Sequence, residues 1–300
     1  MEKLAIVGIF YDGYIDLWRD FFGLINKNWS NCPYPIYVVD NELKLTKEDT
    51  FGLDVKVINA GKDAEYSRKV QVAVDSIQAE YLLLLLEDFY IVKSVDNNKI
   101  KDIMSLVVKD DIDYYSMPMP EFVDIKERER YKNYDLYKIS TKREYIFSCQ
   151  PSIWKRDFLK KCIGKSNYNA WVFEGVYATS KKIRRSDFLS YSILDYSNPL
   201  NLRHGAIQGK MVPETVKVIQ ECGYKLTSDR PLLPKKKVIE NAMKRYAHMA
   251  VRGMNLQFIK GLFKKKSILE RYKDQINSVQ NEIITDDFIH DYLLQKGSGK

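Results

Sequence analysis

The sequence predicts an α/β protein: a mostly parallel sheet flanked by helices, with a helical extension at its C-terminal end. Three observations carry this. Short apolar, β-branched runs alternate with helix-length amphipathic segments over roughly the first 90 residues, the pattern of strands joined by crossover helices. The run Tyr81–Leu86 is apolar at every position, as a central strand covered on both faces must be. Basic residues concentrate late in the chain, where helical spacing returns without strands.

The elements follow in order. Leu4–Phe10 (LAIVGIF) reads as a buried strand, and Tyr14–Asn28 as a helix with Leu17, Phe21, Leu24 and Ile25 on one face. Pro35–Val39 is a second strand, ending at the polar turn Asp40–Asn41, and Val55–Ile58 a short third. Glu65–Ala79 has Val70, Val74 and Ile77 at near-helical spacing and leads straight into Tyr81–Leu86, which stops at Glu87–Asp88. The later part is less regular. Asp113–Met119 reads as a strand, Lys126–Asn133 as a charged loop or short helix, and Tyr145–Trp154 as a strand and turn. A helix over Lys155–Cys162 and a strand at Phe188–Tyr191 follow. Pro231–Pro234 (PLLP) marks a boundary between a main domain, 1–230, and a basic helical segment, 231–296. Within the main domain, about 1–120 and about 121–230 form two parts, and 297–300 is read as an appended tail.

Bulk properties narrow the class. Three hundred residues hold one sizeable α/β domain and an accessory segment. The 21 Tyr, 13 Phe and 4 Trp offer ring faces that pack on sugar C–H groups, and they equally suit an aromatic core. Cys32, Cys149, Cys162 and Cys222 are scattered, with no CxxC or Cys/His cluster, so neither a zinc site nor a disulfide framework is indicated. Reduced thiols fit a cytoplasmic protein, as does an N-terminus (MEKLAIVGIF) that runs directly into a strand. The net charge is +8, yet 12 Lys/Arg against 2 Asp/Glu fall between Lys235 and Lys273, leaving 36 and 38 elsewhere. A cationic surface appended to a near-neutral body argues against a nucleic-acid-binding core. Ile239, Met243, Tyr246 and Ala250 form an apolar stripe opposite Arg245, His248 and Arg252. That fits a peripheral helix on an anionic membrane surface at the inner face, or a helix packed on the main domain, two readings that stand level.

Ligands of parallel α/β sheets bind beyond the carboxyl ends of the strands. Tyr11, Asp12, Asp40 and the Glu87–Asp88 pair therefore fall where a ligand would sit. Adjacent carboxylates ending an apolar strand need a partner, and a divalent cation carried on a diphosphate is one. The plain alternative is an acidic turn emerging into solvent. Neither GxGxxG nor GxxxxGK[ST] occurs, which disfavours dinucleotide enzymes and P-loop NTPases.

With LLLLLEDFYIV at residues 82–92, the sequence resembles the GT-A glycosyltransferases, especially small bacterial enzymes that build capsule or lipopolysaccharide glycans. The resemblance covers roughly residues 1–215. It implies an acidic DXD-type motif after the central strand, written here as Leu86-Glu87-Asp88 without the first acid. Asp88 then takes the metal position and Glu87 faces the donor. Ser67-Arg68 is similar to the polar helix start near the donor, which adds Arg68 to Tyr11, Asp12 and Asp40 as donor-binding residues. Gln150–Trp154 and Trp171–Glu174 are similar to the acceptor side, with Gln150, Trp154 and Trp171 as contacts and Glu174 as the catalytic base. An ion pair with a residue such as Lys181 is the plain alternative for Glu174. In Asn201–Lys210, His204 would complete the shell of Mn²⁺ or Mg²⁺, and Lys210 would meet the diphosphate.

The activity implied is an inverting, metal-assisted transfer of sugar from a nucleotide-diphosphate sugar to a glycan or lipid-linked acceptor, in bacterial surface polysaccharide synthesis. Two rivals exist. A sugar-nucleotide pyrophosphorylase needs a Gly-rich loop after the first strand, where Tyr11-Asp12-Gly13-Tyr14 has one glycine. A non-catalytic glycan- or membrane-binding protein with a degenerate site fits the incomplete acidic triplet.

Overall fold

The computed structural model describes residues 2–119, 129–132, 134–140, 143, 145–185, 187–238, 240, 243 and 268–297. Strands β1 (Leu4–Ile9), β2 (Ile36–Asp40), β3 (Val55–Asn59) and β4 (Tyr81–Leu85) lie in the order β3-β2-β1-β4, every neighbouring pair parallel. Helices α1 (Ile15–Asn28) and α2 (Tyr66–Ser76) connect them. β5 (Phe89–Ile91) leaves the sheet, and α3 (Asn97–Lys109) follows it. The sheet continues beyond β4 with strands from the later half: β6 (Tyr114–Ser116), β7 (Tyr137–Lys138), β8 (Ser152–Lys155) and β9 (Ser192–Leu194). Its full order is β3-β2-β1-β4-β8-β6-β9-β7. Only β8 and β7 run against the rest.

The apolar strands alternate between two cores, because successive side chains point to opposite faces. Leu83 and Leu85 join Trp18, Phe21 and Phe22 of α1 on one face. Leu82 and Leu84 join Val70, Ala73 and Val74 of α2 on the other. Each fully buried leucine contributes about 2 kcal/mol by area removed from water. β4 therefore reads as one unbroken apolar run, and a polar residue inside it would leave a core unsatisfied.

The second face also takes α4 (Arg156–Ile163), α5 (Ala170–Thr179) and α6 (Lys181–Arg185). β10 (Leu202–His204) pairs antiparallel with β5, and a hairpin of β11 (Ala206–Ile207) and β12 (Lys210–Met211) precedes α7 (Pro213–Glu221). The C-terminal helices are α8 (Ile268–Arg271), α9 (Lys273–Ile283) and α10 (Asp286–Gly297). They are integral to the second core, to which they give Ile276, Val279, Ile283, Ile284 and Tyr292. The Tyr292 hydroxyl donates to buried Asp113 at 2.6 Å, and Lys296 pairs with Asp111 (2.6 Å) and Asp113 (2.9 Å).

The strands and helices read from the first 90 residues match within two or three residues at their ends. Phe188–Tyr191 differs: Asp187–Leu189 is a 3-10 turn, and the strand begins at Ser192. Phe188 and Leu189 are both buried, and neighbouring residues of a strand cannot bury on one face. The sequence reading had no element over 97–109, where α3 carries a full set of signals. Asp96 caps it through the Asn98 N–H, and Ile100, Ile103, Met104 and Val107 are buried at helical spacing. Apart from Met243, the stripe from Ile239 to Ala250 lies outside the described residues, as do 126–128 and Asn133. No helix among the described residues is long and apolar enough to cross a membrane.

Candidate functional site

In the order β3-β2-β1-β4 the chain winds outward from β1 to β3 and then returns to β1's other side, which makes the gap between β1 and β4 a topological switch point. Chain leaving β1 is Phe10-Tyr11-Asp12, and chain leaving β4 is Leu86-Glu87-Asp88. β8 runs antiparallel to β4 with Ser152 opposite Leu84, so the segment before it, Cys149–Pro151, reaches the same edge. β5 starts directly after Asp88 and pairs His204 opposite Phe89, bringing the histidine beside the acid pair. The Gly205 N–H donates to the Asp88 carbonyl at 2.7 Å and holds this corner.

The acid pair is buried. Glu87 is 6% exposed, and burial beside the Asp88 carboxylate pushes its carboxyl up to about 8. The Tyr11 backbone N–H and the charge of Lys69 work against that rise. Burial also raises Asp88, with His204 and Arg230 opposing, and lowers His204, with Asp88 opposing. Asp88 Oδ1 is buried with no hydrogen-bond partner among the described residues. Because the folded state raises the Glu87 pKa, its contribution to stability is full below about 4.5 and is lost as pH rises to about 8. Glu87→Gln is accordingly expected to raise Tm at pH 8 and to flatten the pH dependence of Tm between pH 5 and 8. Unchanged melting curves across that range would refute the buried-acid account.

Each predicted residue can now be placed. Tyr11 is 58% exposed at the rim, its ring 5.5 Å from Lys69 Nζ. Both Asp12 oxygens accept backbone N–H groups, from Asn41 (2.9 Å) and Glu42 (3.0 Å), so Asp12 ties β1's exit to β2's. Asp40 is buried, accepts from Asn59 at 2.6 Å through Oδ1, and leaves Oδ2 without a partner among the described residues. Burial lifts its carboxyl to about 6. Arg68 points outward, whereas its neighbour Lys69 is 3% exposed and donates to the Phe10 carbonyl at 2.6 Å. Lys210 is half-buried in the β11–β12 hairpin, whose turn uses positive φ at Gln208 and Gly209. Gln150 accepts from the Met119 N–H at 3.2 Å. Trp171 is 50% exposed at the start of α5. Trp154, by contrast, is 1% exposed among Tyr114, Phe147, Phe158 and Phe173, a core position with no face for an acceptor.

Glu174 is half-buried on α5 and accepts from the Cys149 N–H at 2.9 Å. Burial pushes its carboxyl up to about 7 against that bond. Tyr66 and the Cys149 thiol face it, and the charge of Asp88 in turn reaches Cys149. No lysine or arginine partner neutralises Glu174 among the described residues; its surroundings hold the carboxyl near half-ionisation at neutral pH.

Two cations escaped the sequence reading. Lys69 carried a signal, being the charged residue on a helix face otherwise made of Ser67, Val70, Gln71, Ala73 and Val74. Arg230 carried none. It is brought in by a strap after α7 whose Thr227 and Ser228 backbone N–H groups bind Asp20. The guanidinium forks onto Asp16 (2.6 and 2.7 Å), lies 4.1 Å from the Tyr14 ring centroid and offsets the rise of Asp88.

Among the described residues no three His, Cys, Asp or Glu side chains gather as a metal-holding group. Asp88, with its unsatisfied buried oxygen, and His204, which its charge reaches, are the two residues here that could donate to a metal. That suits a cation whose remaining positions are filled by phosphate oxygens and water, not a closed protein cage.

The strand order and the crossover to β4 are those of a Rossmann-like α/β fold, consistent with the GT-A architecture expected from the sequence. No family model matches the sequence, and no curated protein matches it. Among solved structures it is similar to S. aureus TarS 1–349 in complex with UDP, at 13% identity over 91% of this chain and 77% of that one, with a TM-score of 0.45. S. aureus TarS in a longer form aligns with 59% of this chain at 15% identity and a TM-score of 0.39, and the match spans 32% of that chain's length. The glycosyltransferase GlyE of Streptococcus pneumoniae TIGR4 aligns at 11% identity over 54% of this chain and 38% of that one, with a TM-score of 0.36.

Proposed function

We propose that this protein is a glycosyltransferase that moves a sugar from a nucleotide-diphosphate sugar to a glycan or lipid-linked glycan acceptor in bacterial surface polysaccharide synthesis. One observation carries the reading. A buried acid pair with an unsatisfied carboxylate oxygen ends β4 at the same sheet edge that Cys149–Pro151 reaches, and the Cys149 N–H donates to Glu174 of α5.

In this reading the donor lies across the gap between β1 and β4, with Tyr11 at its rim and Asp40 beyond β2. Glu174 accepts the proton of the acceptor hydroxyl as that oxygen attacks the anomeric carbon. The bond from that carbon to the diphosphate oxygen breaks, and the electron pair leaves with the nucleotide. Attack from the face opposite the leaving group inverts the configuration. A carboxyl near 7 is suited to that work, because enough of it is ionised while it still binds a proton usefully. Asp88 and His204 would hold Mn²⁺ or Mg²⁺, which supplies positive charge where the diphosphate gains negative charge. Lys210 adds an ammonium from the hairpin, and Trp171 offers an exposed ring to the acceptor.

A panel of nucleotide sugars (UDP-glucose, UDP-GlcNAc and GDP-mannose), incubated with and without Mn²⁺, tests the reading through release of free nucleotide. Calorimetric titration with UDP and GDP runs beside it. Nucleotide binding strengthened by Mn²⁺, with hydrolysis of at least one donor, is the expected result. Binding without turnover would favour a binding protein with a degenerate site, and neither binding nor turnover would overturn the donor-site assignment.

A further inference from the structure

The C-terminal helix α9 touches both walls of the candidate site from behind. Gly175, the residue after Glu174, leaves room that Ile276 fills: a Cβ there would clash with Ile276 Cδ1. Gln280 Nε2 donates to the Val176 carbonyl and to Thr179 Oγ1, each at 2.7 Å. Thr179 Oγ1 donates in turn to the Gly175 carbonyl at 2.8 Å. Two residues further, Glu282 accepts the backbone N–H groups of Lys165 (2.5 Å) and Ser166 (3.1 Å) and the Ser166 hydroxyl. The Ser166 carbonyl then accepts Ser67 Oγ (2.8 Å) and Gln71 Nε2 (3.0 Å) of α2, the helix that carries Tyr66 and Lys69.

We infer that α9 is a positioning clamp for the base: Ile276 and Gln280 set the rotation and height of Glu174, and Glu282 ties the same clamp to α2. This rests on Glu174 acting as the base. Among the described residues the carboxyl accepts one backbone hydrogen bond, from Cys149, and its charge reaches the Tyr66 hydroxyl and the Cys149 thiol. Its aim therefore depends on how α5 is seated. A base must stand within hydrogen-bond reach of the proton it takes, and a displacement of about 1 Å far from the chemistry can cost ~10²-fold in rate. Ile276, Gln280 and Glu282 thus act as positioning residues for the base, at a distance from the sheet edge where the donor would lie.

The experiment compares Gln280→Ala with the wild-type full chain, using Glu174→Gln as reference and Lys296→Met as a control that loosens α10 away from α5. Two readouts are taken. Turnover of UDP-glucose, UDP-GlcNAc and GDP-mannose gives kcat and KM against pH, and hydrogen exchange at the Cys149 amide needs no donor. Gln280→Ala is expected to lower kcat about 10-fold or more with donor KM within about twofold, to shift the rising limb of the pH profile, and to speed Cys149 exchange. Lys296→Met should leave kcat, the limb and that exchange unchanged. If Glu174→Gln is inactive while Gln280→Ala matches wild type in both readouts, the clamp is refuted and the base stands. If Glu174→Gln retains turnover, the base assignment falls, and unchanged Cys149 exchange in Gln280→Ala would then refute the clamp as well. An equal loss of kcat in Lys296→Met would reduce α9 to general stability and overturn the inference. Should Gln280→Ala not fold, Ile276→Val carries the same readouts, since it removes one methyl at the Gly175 contact.

Discussion

Replacing Glu174 by Gln is expected to lower kcat by ~10²–10⁴-fold, the range for a lost general base, while nucleotide binding is kept. The amide preserves the size of the side chain and can still accept the Cys149 N–H, so α5 keeps its seat. What it loses is the capacity to take a proton. With the carboxyl at about 7, wild-type turnover should rise with pH and level off above that value, because only the ionised form is a base. The variant should show a flat residual rate without that limb. Stability moves the other way. The folded pKa is raised from 4.5 to about 7, so the stability this group contributes is full below about 4.5 and gone above about 7. At pH 8 the glutamine variant should melt at or above the wild-type temperature. Single-turnover rates against pH, with melting curves at pH 5 and 8, make the measurement. Turnover that survives with its pH limb intact would place the base elsewhere.

How much of this was legible beforehand differs by region, and the difference is physical. In the first 90 residues β1, β2 and β4 bury two faces and each helix one, so hydrophobic period reports the element directly: β4 announced itself as YLLLL. The acid pair was legible for the same reason, since charge at the end of such a strand stands out. Glu174 was named from a resemblance, and periodicity could not have supplied it, because α5 is buried on most sides and shows almost no polar face. Arg68 and Lys69 illustrate a finer limit. They are one residue and therefore about 100° apart on α2, and only the helix phase decides that Lys69 turns inward to Phe10. Trp154 shows the reverse: an aromatic in a motif-like run goes to the core because its strand, β8, lies between β4 and β6. Arg230 was illegible, since its place depends on a strap anchored some two hundred residues away on α1.

Asp88→Ala is expected to abolish transfer, by ~10²-fold or more, and to remove any strengthening of UDP or GDP binding by Mn²⁺, while the fold persists. Asp88 is a poor structural residue. Its Oδ1 is buried without a hydrogen-bond partner among the described residues, and burial raises its pKa against the help of His204 and Arg230. An unsatisfied buried carboxylate destabilises the chain that carries it, so its natural explanation is a ligand that satisfies it. The alanine variant should therefore keep or gain thermal stability at neutral pH, where the wild-type side chain must hold its charge or take up a proton. The sign follows from the raised pKa: the stability tied to this group is present below the unfolded value and lost as pH rises through the folded one. Removing the acid leaves His204 beside Phe89 with its basicity lowered further, since the Asp88 charge is what opposes burial there. A second carboxylate does not substitute. Glu87 is pushed up to about 8 and is largely protonated at neutral pH, although loss of its charged neighbour would let it ionise more readily. Treatment with EDTA should reproduce the loss in the wild-type protein and change nothing in the variant. Near-wild-type turnover in Asp88→Ala, with EDTA equally harmless, would remove the cation from this site and leave Lys69, Lys210 and Arg230 as the charges that meet the leaving group.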